Sequence, residues 1–146
     1  MNGELITLED VSKVYRLGEE KIVALRKINL AVDESEFVVV QGPSGSGKTT
    51  LLNIIAGLDT PTTGTVTVLG TRVDDADEDF LSTFRSLNVG FVFQHYNLIS
   101  TFTAIENIEF PVEISGRDVE KATNVAKSLL KRVGLADRGR HLPAQL

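Results

Sequence analysis

The sequence predicts an α/β fold carrying a helical attachment, and three observations support this. An apolar, β-branched run, "FVVV" (37–40), leads directly into a glycine-rich loop and then a helix pattern. Strand-like and helix-like segments alternate through the first two thirds of the chain, as a layered α/β core requires. The last third is mostly helical in pattern, which puts an expected boundary between regions 1–93 and 94–146.

Composition narrows the class. At 146 residues the chain can bury a real core. With 42% apolar and 24% charged residues it lies close to the globular average, which argues against wholesale disorder. A net charge of −5 argues against a nucleic-acid surface. No apolar run approaches the roughly 18–20 residues that span a bilayer, and "MNGELITLED" lacks a signal-peptide pattern. There is no cysteine, hence no disulfide or thiolate metal site. His95 and His141 stand too far apart to share a metal and are expected on the surface.

Taken in order, "ELITLEDV" and "VALRKINLAV" partly alternate apolar and polar residues, as half-exposed strands do. "RLGEEK" (16–21) between them suits a hairpin connection. The "FVVV" run suits a strand buried on both faces. "TTLLNIIA" (49–56) reads as a helix ended by Gly57, and "TVTVLG" (65–70) as a strand. "DDADEDFLSTFRSL" (74–87) is an amphipathic helix with carboxylates at its positive end, and "VGFVF" (89–93) another buried strand. "TAIE" (103–106) is a capping box opening a helix that Pro111 helps to stop. In the last helix Val119, Ala122, Val125, Leu129 and Val133 share a predicted apolar face, and Gly134 ends it.

The chemistry centres on "GPSGSGKT", Gly42 to Thr49, which fits G-x-x-x-x-G-K-[ST] between a strand pattern and a helix pattern. Glycines allow successive N–H groups to converge on phosphate oxygens, and the helix adds the positive end of its dipole. Lys48 would reach the β- and γ-phosphates, and the Thr49 hydroxyl would ligate Mg²⁺. This predicts a nucleotide phosphate site. Gln94, after the second apolar run, could place its amide near a metal-bound phosphate, although a polar residue ending a strand is common.

Together "VSKVYRLGEEKIVALRKINLAV", "GPSGSGKTTLLNIIAGLDTPTTGTV" and "VGFVFQHYNLISTFTAIENI" resemble ABC transporter ATPases, nearest to lipoprotein-release and macrolide-export ATPases. The resemblance runs from about residue 4 to 146. It implies a P-loop NTPase core, an antiparallel β subdomain and an incomplete helical subdomain. It implies ATP and Mg²⁺ as cofactors, with Tyr15 stacking on adenine and Gly42, Ser44, Gly45, Ser46, Gly47, Lys48, Thr49 and Thr50 holding the nucleotide. Lys48 and Gln94 would stand nearest the chemistry, and Thr49 and Gln94 at the metal. The implied partners are a second ATPase domain and a membrane permease, at the cytoplasmic face of the membrane. Phe102, Ile105 and Phe110 are candidate permease contacts, or else core residues of the helical region.

Two positions depart from the family pattern. Ser35 precedes Glu36 where a glycine is usual, so serine must take another turn geometry or accept strain. Gln41 stands where an apolar residue is common. Asp33 and Glu34 lie upstream of the phosphate loop and are expected to be solvated. "HLPAQL" (141–146) resembles the entry to the family's signature, with Leu146 its first residue. The expectation is therefore an N-terminal portion without the catalytic carboxylate and hydrolytically inactive alone, with "FVVV" left uncovered. A naturally short nucleotide-binding or regulatory protein stays open. A GTPase or small-molecule kinase is disfavoured, because no Asn-Lys-x-Asp guanine motif is present.

Overall fold

The hairpin expected around Gly18 organises the first part of the chain. β1 (Glu4–Leu17) and β2 (Glu20–Asp33) pair antiparallel across a two-residue turn. Gly18 has positive φ and Glu19 does not, as in a type II′ turn. The computed structural model describes residues 3–114 and 119–146, and the chain divides into two units, one ending at Gly90 and the other beginning at Phe91.

In the first unit β3 (Thr63–Val68) pairs with β1, and β4 (Thr71–Arg72) pairs with β3, giving a four-stranded antiparallel sheet in the order β2-β1-β3-β4. Leu69 and Gly70 both have positive φ and close the β3–β4 hairpin. Bulges interrupt β1–β2, and a further irregularity lies between Glu9 and Ser12 against β3. There Asp10 takes a left-handed conformation, with its N–H donating to Asn29 Oδ1 at 2.9 Å. Gly64 faces that bulge, and a Cβ on it would lie 2.6 Å from the Asp10 and Glu9 backbone. No side chain fits there.

One face of the sheet carries the core. Leu8, Val11, Leu25, Val66 and Val68 are buried with Ile54 of α1 (Lys48–Ile55), Val73, and Leu81 and Phe84 of α2 (Glu78–Asn88). Helix α2 begins four residues later than its pattern suggests. Asp77 caps it, its Oδ1 accepting from Phe80 N–H at 2.8 Å. Asp74 serves the sheet instead, accepting from Val66 N–H at 2.8 Å and from Arg72.

Neither apolar run forms the strand its pattern predicts, although residues 37–40 are left uncovered as expected of an N-terminal portion. Residues 37–40 and 89–93 belong to no strand, and Val39 and Val92 are 59% and 102% exposed. A central parallel strand draws its stability from neighbours on both sides. Among the described residues the only sheet is β1–β4, which pairs with neither run.

In the second unit α3 (Ala104–Ile114) packs with α4 (Val119–Arg132). The capping box forms: Thr103 N–H and Oγ1 both donate to Glu106 Oε2 at 2.7 Å. Pro111 does not stop α3, which runs on to Ile114; the missing N–H costs one internal bond without ending the helix. The buried face of α4 is Ala122, Ala126 and Leu130, at four-residue steps. Val125, Leu129 and Val133 are exposed, and the Val119 side chain lies outside the described residues. Ala122 is thus buried as predicted, while Ala126 and Leu130 lie on the flank that the predicted stripe omitted, where alanine permits closer helix approach. Helices α1 and α4 both end in Schellman motifs. Leu58 N–H bonds Asn53 O at 2.8 Å beyond Gly57, and Leu135 N–H bonds Leu130 O at 2.8 Å beyond Gly134.

Candidate functional site

The phosphate-type loop wraps the N-terminus of α1. Its Lys48 is the first helical residue, and its ammonium turns back across the loop to donate to Gly42 O at 2.9 Å and Pro43 O at 2.7 Å. Ser46 N–H closes on Pro43 O at 3.3 Å. Gly47 stands at the N-cap with φ 90° and no side-chain cap. A Cβ there would lie 2.5 Å from Ala24 O of β2, so glycine lets the loop seat against the sheet. Without a capping side chain, the first-turn N–H groups of α1 are left for an external acceptor. A partial positive charge, a run of free donors and a lysine at one mouth fit phosphate oxygens.

Tyr15 lies beside this helix start. Its hydroxyl donates to Asp59 Oδ2 at 2.6 Å, and the residue is 39% exposed. The hydrogen bond to Asp59, reinforced by burial, holds the phenol above its ordinary pKa, while the nearby Thr50 hydroxyl pulls the other way. Burial disfavours ionised Asp59, but hydrogen bonds from Lys13 and Tyr15 prevail and set it below the usual carboxylate range. Lys13 Nζ also donates to Thr60 O at 2.6 Å and stands 4.9 Å from the centre of the Tyr15 ring.

Fold thus brings Tyr15 and Thr50 together with the contiguous loop Gly42, Ser44, Gly45, Ser46, Gly47, Lys48 and Thr49. Sequence reasoning missed Lys13 and Asp59. The signal for Lys13 is its two-residue spacing from Tyr15 on one strand. Asp59, 44 residues away from Tyr15 in sequence, gave none.

Gln94 belongs to the second unit, exposed in a turn beside exposed His95. The loop after it is tied to α3 by Asn107, whose Oδ1 accepts from Ile99 N–H at 2.7 Å and whose Nδ2 donates to Ile99, Phe102 and Thr103 carbonyls. Phe102 and Phe110 pack edge to face with centroids 5.4 Å apart, and Ile105 lies where a Cβ on Gly139 would fall. Ser35 takes φ 64°, the strained alternative anticipated for it. Among the described residues no cluster of three or more His, Asp or Glu could hold a metal by itself.

Comparison with known proteins identifies the family and the fold. The chain is 48% identical to an ABC transporter ATP-binding protein of Methanocaldococcus jannaschii over 97% of its length and 63% of that protein's. It is 40% identical to the lipoprotein-releasing system ATP-binding protein LolD of Hahella chejuensis, over 100% and 63%. It is 43% identical to the macrolide export ATP-binding/permease protein MacB of Salmonella choleraesuis, over 97% and 22%. The solved dimer of the ATP-binding cassette MJ0796, in a post-hydrolysis state with ADP and Pi, superposes with a TM-score of 0.87 at 43% identity, over 97% of this chain and 62% of that one. The chain therefore spans about three fifths of the length of its single-cassette relatives. The ABC transporter family profile matches residues 25–146, and the chain belongs to that family.

Proposed function

We propose that this chain binds Mg²⁺-ATP as part of the ATP-binding subunit of an ABC transporter, coupling ATP binding and hydrolysis to export or lipoprotein release by a membrane permease. The observation that carries the reading is the loop at α1, where Lys48 spans the mouth of a set of uncapped helix N–H groups.

Bound Mg²⁺-ATP supplies the transferable phosphoryl group. Lys48, which here donates to the Gly42 and Pro43 carbonyls, would hold β- and γ-phosphate oxygens, charged acceptors in place of neutral ones. Helix N–H groups from Gly47 to Thr50, with Gly45 and Ser46 in the loop, orient the triphosphate. The Thr49 hydroxyl, in the first turn of α1, is the residue assigned to the metal from the phosphate-loop side. Gln94 is proposed for the metal and the γ-phosphate on the family resemblance of the segment that carries it. Tyr15 offers its ring to the adenine.

MJ0796 is described as a dimer and MacB as an ATP-binding/permease protein. They support a second ATPase domain and a permease as partners here, with the chain peripheral at the cytoplasmic face of the membrane. None of the described helices is long and apolar enough to cross a membrane. Calorimetric titration tests the reading. Lys48→Ala should weaken ATP at least about tenfold, and excess GTP should compete less well than ATP. Unchanged affinity in Lys48→Ala would overturn the assignment of the loop.

A further inference from the structure

We infer that Asp59 and Lys13 form a positioning clamp that fixes the Tyr15 ring as a platform for the nucleotide base, separating base recognition from phosphate recognition. The inference rests on the proposed nucleotide site and goes beyond it by naming the residues that set base affinity.

Tyrosine on a strand has two side-chain torsions, and an aromatic platform that rotates loses stacking energy to entropy. Here the ring is pinned at both ends of its freedom. Its hydroxyl donates to Asp59 Oδ2 at 2.6 Å, and the other Asp59 oxygen takes Lys13 Nζ. Lys13 is in turn held by Thr60 O at 2.6 Å, and its ammonium rests 4.9 Å from the ring centroid. With Asp59 and Thr60 as its acceptors, that ammonium is committed to the clamp rather than to phosphate. It lies over one ring face, so a base would stack on the opposite one. Asp59 lies just past the end of α1, anchored by Thr60 N–H donating to Oδ1 at 2.8 Å. The same short helix begins at the phosphate loop and ends beside the clamp, so base platform and phosphate cradle share one rigid support.

Asp59 and Lys13 are positioning residues: they act through Tyr15. The test uses the natural full-length protein and two ligands, ATP and inorganic tripolyphosphate, which has the phosphates and no base. Titrations are run on the parent, Asp59→Ala, Tyr15→Phe and the double variant. Tyr15→Phe keeps the ring and removes only the hydroxyl that the clamp holds. Asp59→Ala is expected to weaken ATP about fivefold with tripolyphosphate unchanged. Tyr15→Phe should give a smaller loss of the same kind, and adding Asp59→Ala to it should cost less than Asp59→Ala does alone.

Equal weakening of both ligands by Asp59→Ala would show a structural role and overturn the clamp, as would fully additive losses. If Asp59→Ala does not fold, Tyr15→Phe decides alone: an unchanged ratio of ATP to tripolyphosphate affinity overturns the proposal. If the parent binds neither ligand, the nucleotide site itself fails and the clamp falls with it. If the parent binds both equally, the site stands and the base platform is refuted.

Discussion

Two kinds of apolar β-branched segment stand side by side in this chain. β3 carries Val66 and Val68 into the core, with Val66 fully buried, whereas Val39 and Val92 of the runs 37–40 and 89–93 face outward. Both kinds read as strands from composition alone. The difference is pairing: β3 has β1 on one side and β4 on the other, and neither run has a partner among the described residues. β-propensity measures how well a side chain fits a half-buried pleated surface. Without that surface it builds nothing. The consequence for function is that the phosphate loop rests on α1 and the antiparallel sheet, through Gly47 against Ala24, rather than on a paired strand before it.

The sharpest way to break the well-paired region is at Gly64. With φ 92° and the Asp10 and Glu9 backbone at 2.6 Å from any Cβ, Gly64→Val must unmake the β1 bulge. The expected loss is about 3 kcal/mol, combining left-handed strain with overpacking. Gly90, at the second run, has nothing within 4 Å of a Cβ, so Gly90→Ala should stay within about 0.5 kcal/mol. Urea unfolding of the two variants measures the contrast directly; similar midpoints would erase it.

Acid should loosen the same sheet at Asp74. Burial opposes its ionisation, yet hydrogen bonds from Arg72 and Val66 N–H outweigh that and hold its pKa below the ordinary carboxylate value. A carboxylate depressed in the folded state stabilises above its unfolded pKa, and that contribution is lost as pH falls through the folded one. Stability should therefore be level above about pH 5 and decline below about pH 4. Asp74→Asn is expected to cost about 1–2 kcal/mol at neutral pH and to flatten the acid limb in thermal melts at stepped pH. An acid limb of unchanged slope would assign it to other carboxylates.

Much of this was legible in the sequence, and the gaps have a common cause. Local chemistry read correctly: the turn at Gly18, the capping box at Thr103 and Glu106, the helix ends at Gly57 and Gly134, the strain at Ser35. The phosphate loop was legible because its spacing is itself the mechanism. What failed depended on distant partners. The buried face of α4 was chosen by α3, and Asp74 and Asp75 looked like a helix start until β3 claimed Asp74. The Asp59 clamp on Tyr15 is invisible without the fold that closes a 44-residue gap.

A smaller effect sharpens the comparison at the entrance to the first unpaired run. Ser35 sits at φ 64° in a turn where Glu36 N–H bonds Asp33 O at 3.3 Å and the Glu36 carboxylate accepts from Asp33 N–H at 2.9 Å. Ser35→Gly removes the left-handed penalty of about 1 kcal/mol and returns part of it as unfolded-chain entropy. A net gain near 0.5 kcal/mol is expected in urea midpoints. A loss would mean the serine side chain contributes something its backbone conformation conceals.

The smallest predicted effect is the most telling about the runs themselves. Val92 is fully exposed, so exchanging a methyl for a hydroxyl there moves no apolar area out of water and leaves no polar group buried. Val92→Thr should change the stability of the 146-residue chain by less than about 0.3 kcal/mol. At Val66, which is 0% exposed, the same exchange buries a hydroxyl among Leu8, Val11 and Ile54 and should cost about 1–3 kcal/mol. The pair holds residue chemistry constant and varies only whether a neighbouring strand is present. If Val92→Thr proves as costly as Val66→Thr, residues 89–93 are covered in solution and the run is a strand after all. If the two separate as expected, pairing rather than propensity decides which apolar runs in this chain carry its stability.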